Sequence, residues 1–252
     1  MRVYFWIGDL QREQLHSPRA AIEYYEQYLA LARHLGEKRE EGLAYNRLGR
    51  GHEDIGEYEA ALKWDKKYLR MSEERGDKKN QITAHTYMGN AFRLLGKVDQ
   101  ATSHFNTALQ MAQEIGDLNR QMDAYFYIGE MQRDGFDSPS TSIQYYEQSL
   151  ALARQLRDKY WEGVAYNRLG RAHYEMGEYG AALEWVRKEL TIRLESGDKA
   201  HLLTAYENMA GSYKALGKPD LARSHYQSAM AIAMETGNKQ KQEDIANRLA
   251  GL

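Results

Sequence analysis

Eight histidines are the residues of this 252-residue chain best suited to acid–base or metal chemistry. Four of them fall in pairs 121 residues apart: His52 with His173, and His104 with His225. A histidine copied at a fixed offset reads as a packed or hydrogen-bonded residue, not a catalytic one. No His-Glu-x-x-His spacing occurs, so paired imidazoles on one helix face are not offered to a metal. Cysteine is absent, which removes disulfides, thiolate ligands and thiol nucleophiles together. The carboxylate pairs Glu40-Glu41 and Glu73-Glu74 sit where helices start or face solvent, and solvated surface is the reading for them. No phosphate-cradling Gly-x-Gly-x-x-Gly or Walker loop is present. Trp64 and Trp185, again 121 apart, are expected to pack between helices. The sequence therefore predicts no enzyme, no cofactor and no metal.

Composition excludes further classes. With 34 basic and 36 acidic residues the net charge is −2. That leaves no broad basic field for phosphates, and nucleic acid is not an expected partner. No apolar run reaches the roughly 20 residues a bilayer span needs, so no membrane is expected. The start, Met1-Arg2-Val3-Tyr4-Phe5-Trp6, is too soon interrupted by charge to be a signal peptide. These features together place the expected location in the cytoplasm. Hydrophobic residues are 42% and charged residues 28%, with a mean hydropathy of −0.76. A single compact core of this length would be more apolar, while 11% aromatic residues is too many for a disordered chain. A folded chain with a large surface satisfies both.

The elements that position these residues repeat. Gly36-Glu37, Gly76-Asp77 and Gly116-Asp117 stand 40 residues apart, as do Gly197-Asp198 and Gly237-Asn238. The missing member falls at Arg157-Asp158, where glycine is replaced. Each period also carries a signature such as Ala44-Tyr45-x-x-Leu48-Gly49, Ala84-His85-x-x-Met88-Gly89 or Ala165-Tyr166-x-x-Leu169-Gly170. A short turn follows, as in Gly56-Glu57-Tyr58 and Gly177-Glu178-Tyr179, and then a second apolar-periodic run. Apolar residues at i, i+3, i+4 and i+7 in a background of strong helix formers predict two helices per period. Glycine at the end of each run supplies the left-handed residue that closes a helix. Glycine inside the first helix, at Gly49 and its equivalents, is expected to let the partner helix approach closely. One such hairpin cannot bury its own apolar face, so neighbours must stack.

A larger period lies above this one. Shifted by 121, Ile22-Glu23-Tyr24-Tyr25-Glu26-Gln27 becomes Ile143-Gln144-Tyr145-Tyr146-Glu147-Gln148. Ala44-Tyr45-Asn46-Arg47-Leu48-Gly49-Arg50 becomes Ala165-Tyr166-Asn167-Arg168-Leu169-Gly170-Arg171. The extra residue sits in the turns His16-Ser17-Pro18 and Asp137-Ser138-Pro139, where serine is expected as N-cap and proline at the first helical position. Asn247-Arg248-Leu249 repeats Asn46-Arg47-Leu48. The final helix therefore reads as the first half of a seventh repeat, and the chain as a piece of a longer array; a solvating cap is the alternative.

The motif of small-aromatic-x-x-Leu-Gly, then Gly-x-Tyr, then Ala-x-x-x-aromatic-x-x-Ala resembles the tetratricopeptide repeat (TPR). The last part is clearest in Ala101, Phe105, Ala108 and in Ala222, Tyr226, Ala229. The 40-residue period is similar to the Pins/LGN scaffold family and to large animal multi-repeat scaffolds. Asp65 and Val186 depart from it where an aromatic is usual, Tyr68 and Glu189 where alanine is usual. The late proline of the second helix is missing. The resemblance implies an all-α, right-handed superhelical solenoid of about six helix–turn–helix hairpins plus a C-terminal helix. Expected repeats are about 1–38, 39–78, 79–118, 119–159, 160–199 and 200–239, with a terminal helix 240–252, in one solenoid.

The resemblance also implies where a ligand would lie. With Leu48 as the family's leucine, first-helix residues facing a concave groove are Asn46, Arg50, Thr86, Asn90, Arg93, Phe126, Asn167, Arg171, Tyr174 and Lys214. Phe5, Arg12, Arg133 and Glu207 fall at the same positions in other repeats. Asparagine offers a donor and an acceptor to an extended backbone, and arginine grips carboxylates bidentately. The competing expectation is helix surface, with arginines paired to Glu53, Asp54 or Glu130. The carboxylate clamp of chaperone-binding arrays does not match. The implied function is a non-enzymatic protein–protein interaction scaffold for signaling, holding a partner peptide or helix with acidic residues. Asn46/Arg50 and Asn167/Arg171 would be two quasi-equivalent sites. The alternatives are a peptide-sensing regulatory module of a larger protein, or a structural array that self-associates through open terminal repeats.

Overall fold

The computed structural model describes residues 2–13, 15, 17–136 and 138–252. His16 and Asp137, at the head of the two Ser-Pro turns, lie outside the described residues, as does Met1. Thirteen α-helices and no strand occur among the described residues. They are α1 (Arg2–Glu13), α2 (Pro18–His34), α3 (Lys38–Asp54), α4 (Tyr58–Glu74), α5 (Lys78–Leu94), α6 (Val98–Glu114) and α7 (Leu118–Phe136). The series continues with α8 (Pro139–Leu156), α9 (Lys159–Glu175), α10 (Tyr179–Ser196), α11 (Lys199–Ala215), α12 (Pro219–Glu235) and α13 (Lys239–Ala250). The fold is all-α, a repeat solenoid of helix hairpins.

The chain divides into two compact units, Met1–Met131 and Gln132–Leu252. In the first, each helix from α1 to α5 packs on its successor. Tyr127 of α7 stacks on Phe105 of α6 at 5.8 Å between ring centres. In the second, α8 to α13 pack in the same sequential way, and α9 also touches α11. Alanine sets the helix spacing: Ala101, Ala108 and Ala112 of α6, and Ala222, Ala229 and Ala233 of α12, have no solvent exposure. At Gly89 a Cβ would stand 2.7 Å from the Phe105 ring, so glycine there is what lets α5 and α6 meet.

The turns explain the 40-residue glycine spacing. Gly36 takes φ +69, its N–H bonds Arg33 O at 3.1 Å, and Glu37 N–H bonds Ala32 O at 2.9 Å. This paired closure satisfies the orphan carbonyls of the helix end. Arg157 keeps the same closure without glycine, at φ 57, with N–H bonds to Arg154 O and from Asp158 to Ala153 O. The residue after the glycine then caps the next helix. Asp77, Asp158, Asp198 and Asn238 each accept from a backbone N–H of the first turn. Ser17 and Ser138 do stand at N-cap positions ahead of proline, but neither caps with its side chain. Their hydroxyls turn instead to Leu15 O and to Thr141 Oγ1.

Trp64 and Trp185 pack in matching ways. Each stacks on a first-helix tyrosine, Tyr45 at 5.7 Å and Tyr166 at 5.8 Å. Each is also covered by a lysine, Lys67 at 4.1 Å and Lys188 at 4.0 Å.

Candidate functional site

In the first unit the first helices close on one another through polar side chains. Arg50 of α3 lies 4.8 Å above the Tyr87 ring of α5. One turn further, Glu53 Oε1 accepts from Asn90 Nδ2 at 2.5 Å. Asn90 Oδ1 accepts in turn from Arg93 Nε at 3.2 Å and Nη2 at 2.9 Å. Behind them Asp65 of α4 is 1% exposed, and neither carboxylate oxygen has a hydrogen-bond partner among the described residues. Burial, then the neighbouring Glu53, pushes its carboxyl well above the usual range, while Arg50 opposes. An ionised carboxylate without hydrogen bonds is costly to bury, so the neutral acid is favoured.

The other first-unit residues expected at a groove are also engaged. Asn46 is buried and accepts from Arg47 Nη1 at 3.1 Å. Thr86 is buried and donates to Ile82 O at 3.0 Å. Phe126 is buried, edge-on to Tyr127 at 5.3 Å. Phe5 lies beneath Arg47 at 5.0 Å, and Arg12 pairs with Asp54 at 2.5 Å.

The second unit keeps the scaffold and changes the filling. At the 121 offset Tyr87 becomes Asn208, Asn90 becomes Gly211, Tyr127 becomes Arg248 and Glu53 becomes Tyr174. A cavity of about 370 Å³ results, lined from α9 by Arg171, Tyr174 and Glu175, from α11 by Glu207, Asn208 and Gly211, and from α13 by Arg248. Its space is visible at Gly211, where a Cβ would meet nothing nearer than the Tyr174 ring at 3.9 Å. Arg171 is exposed and donates through Nε to Glu175 at 2.9 Å. Tyr174 is 41% exposed and sits edge-on to Tyr179 at 5.1 Å. Glu207 is 6% exposed. Its Oε2 accepts from Lys241 Nζ at 2.8 Å, and its buried Oε1 has no hydrogen-bond partner among the described residues. The wall thus carries one open acceptor beside two guanidinium groups.

Three further expected residues stand apart. Lys214 is exposed and donates to Gly251 O at 3.0 Å. Asn167 is buried, donates to Glu189 Oε2 at 3.1 Å and accepts from Arg168 at 2.8 Å. Arg133 pairs with Asp134 at 2.8 Å. Asn46 and Asn167 are alike in that each accepts from the next arginine. The arginines differ: Arg50 lies over the Tyr87 ring, and Arg171 pairs with Glu175.

Sequence reasoning missed Tyr87, Tyr127, Asn208, Gly211 and Arg248. The signal was a comparison of the two blocks where they differ, not where they agree. The buried acids were signalled too, since Asp65 and Glu189 were already marked as departures from the repeat pattern. Glu189 is fully buried, and burial pushes its carboxyl up to about 7, against the Asn167 hydrogen bond and the charge of Arg193. Arg193 is 1% exposed, with Nη1 3.5 Å from Asp198 Oδ2 and Nε 3.9 Å from Glu189 Oε1.

The histidines are structural in geometry. His52 and His173 bond Glu57 and Glu178 at 2.8 and 2.6 Å. His85 and His104 bond one another at 2.9 Å, and His225 stacks on Tyr213 at 5.3 Å. Among the described residues no group of three or more histidines and carboxylates could hold a metal, and no helix is long and apolar enough to cross a membrane.

Residues 137–195 match a family model described as tetratricopeptide repeat. The fold is similar to that of BtubC from P. vanneervenii, 19% identical, with a TM-score of 0.74 over 86% of this chain and 91% of that one. It is also similar to a signal transduction ATPase with a tetratricopeptide repeat sensor from Pyrococcus horikoshii. That match is 17% identical, with a TM-score of 0.70 over 98% of this chain and 41% of the other. A Rap protein complexed with Competence and Sporulation Factor is 12% identical, with a TM-score of 0.75 over 98% of this chain and 73% of that one. The family match and the shared helical fold together support a tetratricopeptide-repeat array.

Proposed function

We propose that this chain is a non-enzymatic interaction module and that the cavity between α9, α11 and α13 receives a segment of a partner polypeptide. The observation that carries this is the unpartnered, buried Oε1 of Glu207 in the wall of an open cavity. A buried acceptor without a donor is unfavourable, and a ligand N–H relieves it. Arg171 and Arg248 offer donors to backbone carbonyls or to an acidic side chain. An extended peptide with an acidic residue supplies both kinds of group. The 40-residue spacing supports kinship with arrays of the Pins/LGN type, and the charge and composition suit a cytoplasmic location.

The test uses the chain's own alternative filling. Asn208→Tyr with Gly211→Asn copies the first unit into the second. An arrayed library of extended peptides, probed with both proteins, is expected to give ligands that the double variant loses while its melting temperature is retained. Peptides bound equally by both proteins would refute the reading.

A second reading, self-association, rests on α1, where Val3, Trp6 and Leu10 are exposed. Light scattering of wild type and Trp6→Glu across concentrations decides it: a mass that rises in the former alone supports self-association, and a constant monomer mass excludes it.

A further inference from the structure

The two units differ at a second place, and there the difference runs the other way. In the second unit, Arg193 fills the space between α9 and α10, and at Gly163 a Cβ would stand 2.8 Å from its guanidinium carbon. At the 121 offset Arg193 becomes Ser72, Glu189 becomes Tyr68 and Gly163 becomes Gly42. In the first unit Met71 Sδ takes the place against Gly42, and beside it Ser72 lines a cavity of about 360 Å³. Four cationic side chains line it: Arg39 of α3, Arg75 at the end of α4, Lys79 of α5 and Arg120 of α7. Three of them have no charged counterpart in the filled unit, where Tyr160, Ser196 and Ala200 take the places of Arg39, Arg75 and Lys79. Opening of the cavity and gain of positive charge go together.

The charges are only partly neutralised. Arg120 Nη1 lies 2.8 Å from Asp117 Oδ2, and Lys79 Nζ lies 3.7 Å from the same oxygen. Asp77, the one acid in the lining, accepts from Asn80 N at 3.1 Å and Nδ2 at 2.8 Å, so it is engaged as a helix cap. Arg39 and Arg75 have no acidic partner within 4.0 Å among the described residues. The side chain of Tyr68, 7% exposed, lines the cavity. Two guanidinium groups without an acidic partner, two more cations and a phenol form a lining for an oxyanion.

We propose that this cavity is an anion site for a phosphoryl group, free or carried on a partner. The phosphoryl class fits because several donors converge from four helices, more than one carboxylate would use. The site is independent of the peptide cavity of the second unit, and either can fail alone.

The test is isothermal titration of the full chain with pyrophosphate, inorganic phosphate and a phosphoserine peptide, at ionic strength held constant with sodium chloride. Saturable binding of at least one probe is expected. Arg39→Gln with Arg75→Gln should weaken it about tenfold or more, and circular dichroism should be unchanged because both side chains are exposed and unpaired. Ser72→Arg, which copies the filled unit, should abolish binding. Should that variant fail to fold, Tyr68→Phe serves in its place and should weaken binding. A phosphoserine peptide binding more tightly than pyrophosphate identifies a modified partner as the source; the reverse identifies a free anion. No saturable binding by any probe, or equal binding by wild type and the double glutamine variant, overturns the proposal.

Discussion

The carboxylate of Asp65 fills the space that a Cβ on Gly49 would take between α3 and α4. At the equivalent place Val186 Cγ2 would stand 3.1 Å from a Cβ on Gly170. A side chain is thus more tightly excluded at Gly49 than at Gly170. Gly49→Ala is expected to destabilise by about 1–3 kcal/mol, the cost of overpacking less the better helix propensity of alanine. Gly170→Ala should fall within about 1 kcal/mol of neutral. Urea denaturation of the two variants side by side checks the difference.

Asp65→Val should stabilise the protein, by about 1–3 kcal/mol at neutral pH, since it removes a buried carboxyl without hydrogen bonds. The folded carboxyl is raised above its unfolded value. The folded state therefore holds a proton that the unfolded chain releases above about pH 4. Wild-type stability falls as pH rises from there, and the gain in the variant should be larger at pH 7 than at pH 4. An equal gain at both pH values would contradict the assignment.

His104 makes the opposite pH dependence. Burial, then the adjacent His85 and Lys66, pushes it down to about 4. The unfolded chain takes up a proton near pH 6.5 that the folded state resists. Stability is full above pH 6.5 and is lost as pH falls toward 4, by about 1–2 kcal/mol once solvent screening is allowed for. His104→Gln should flatten this part of the pH profile of urea midpoints.

Among the described residues, Arg157 is the position where a left-handed turn lacks glycine. Arg157→Gly should stabilise by about 0.5–1 kcal/mol, the relief of left-handed strain less the entropy glycine gains in the unfolded chain. Gly36→Arg, its mirror, should cost about 0.5–1 kcal/mol by the same two effects. Thermal melts of both variants report the sign.

The helices were legible because their information is local. The spacing of Gly36, Gly76 and Gly116 marks helix ends by backbone conformation, and Ala101, Phe105 and Ala108 mark a buried stripe by period. Trp64 and His52 behave as their repetition indicated. The cavities were not legible, because they depend on what three separate helices leave empty. Gly211 in a sequence looks like any helical glycine, and only the smallness of Asn208 beside it turns it into a cavity wall. The environment of Arg50 was hidden for the same reason: its neighbour Tyr87 comes from another hairpin, and nothing in the α3 sequence announces it.

The exchange of Tyr87, Asn90 and Tyr127 for Asn208, Gly211 and Arg248 also describes a blocker. In one block a phenol and an amide occupy the volume that the other leaves open, held by the same backbone. The protein thus carries an imprint of a molecule complementary to its own cavity. A fragment screen against the second unit should begin from phenols bearing a carboxamide about one helical turn away.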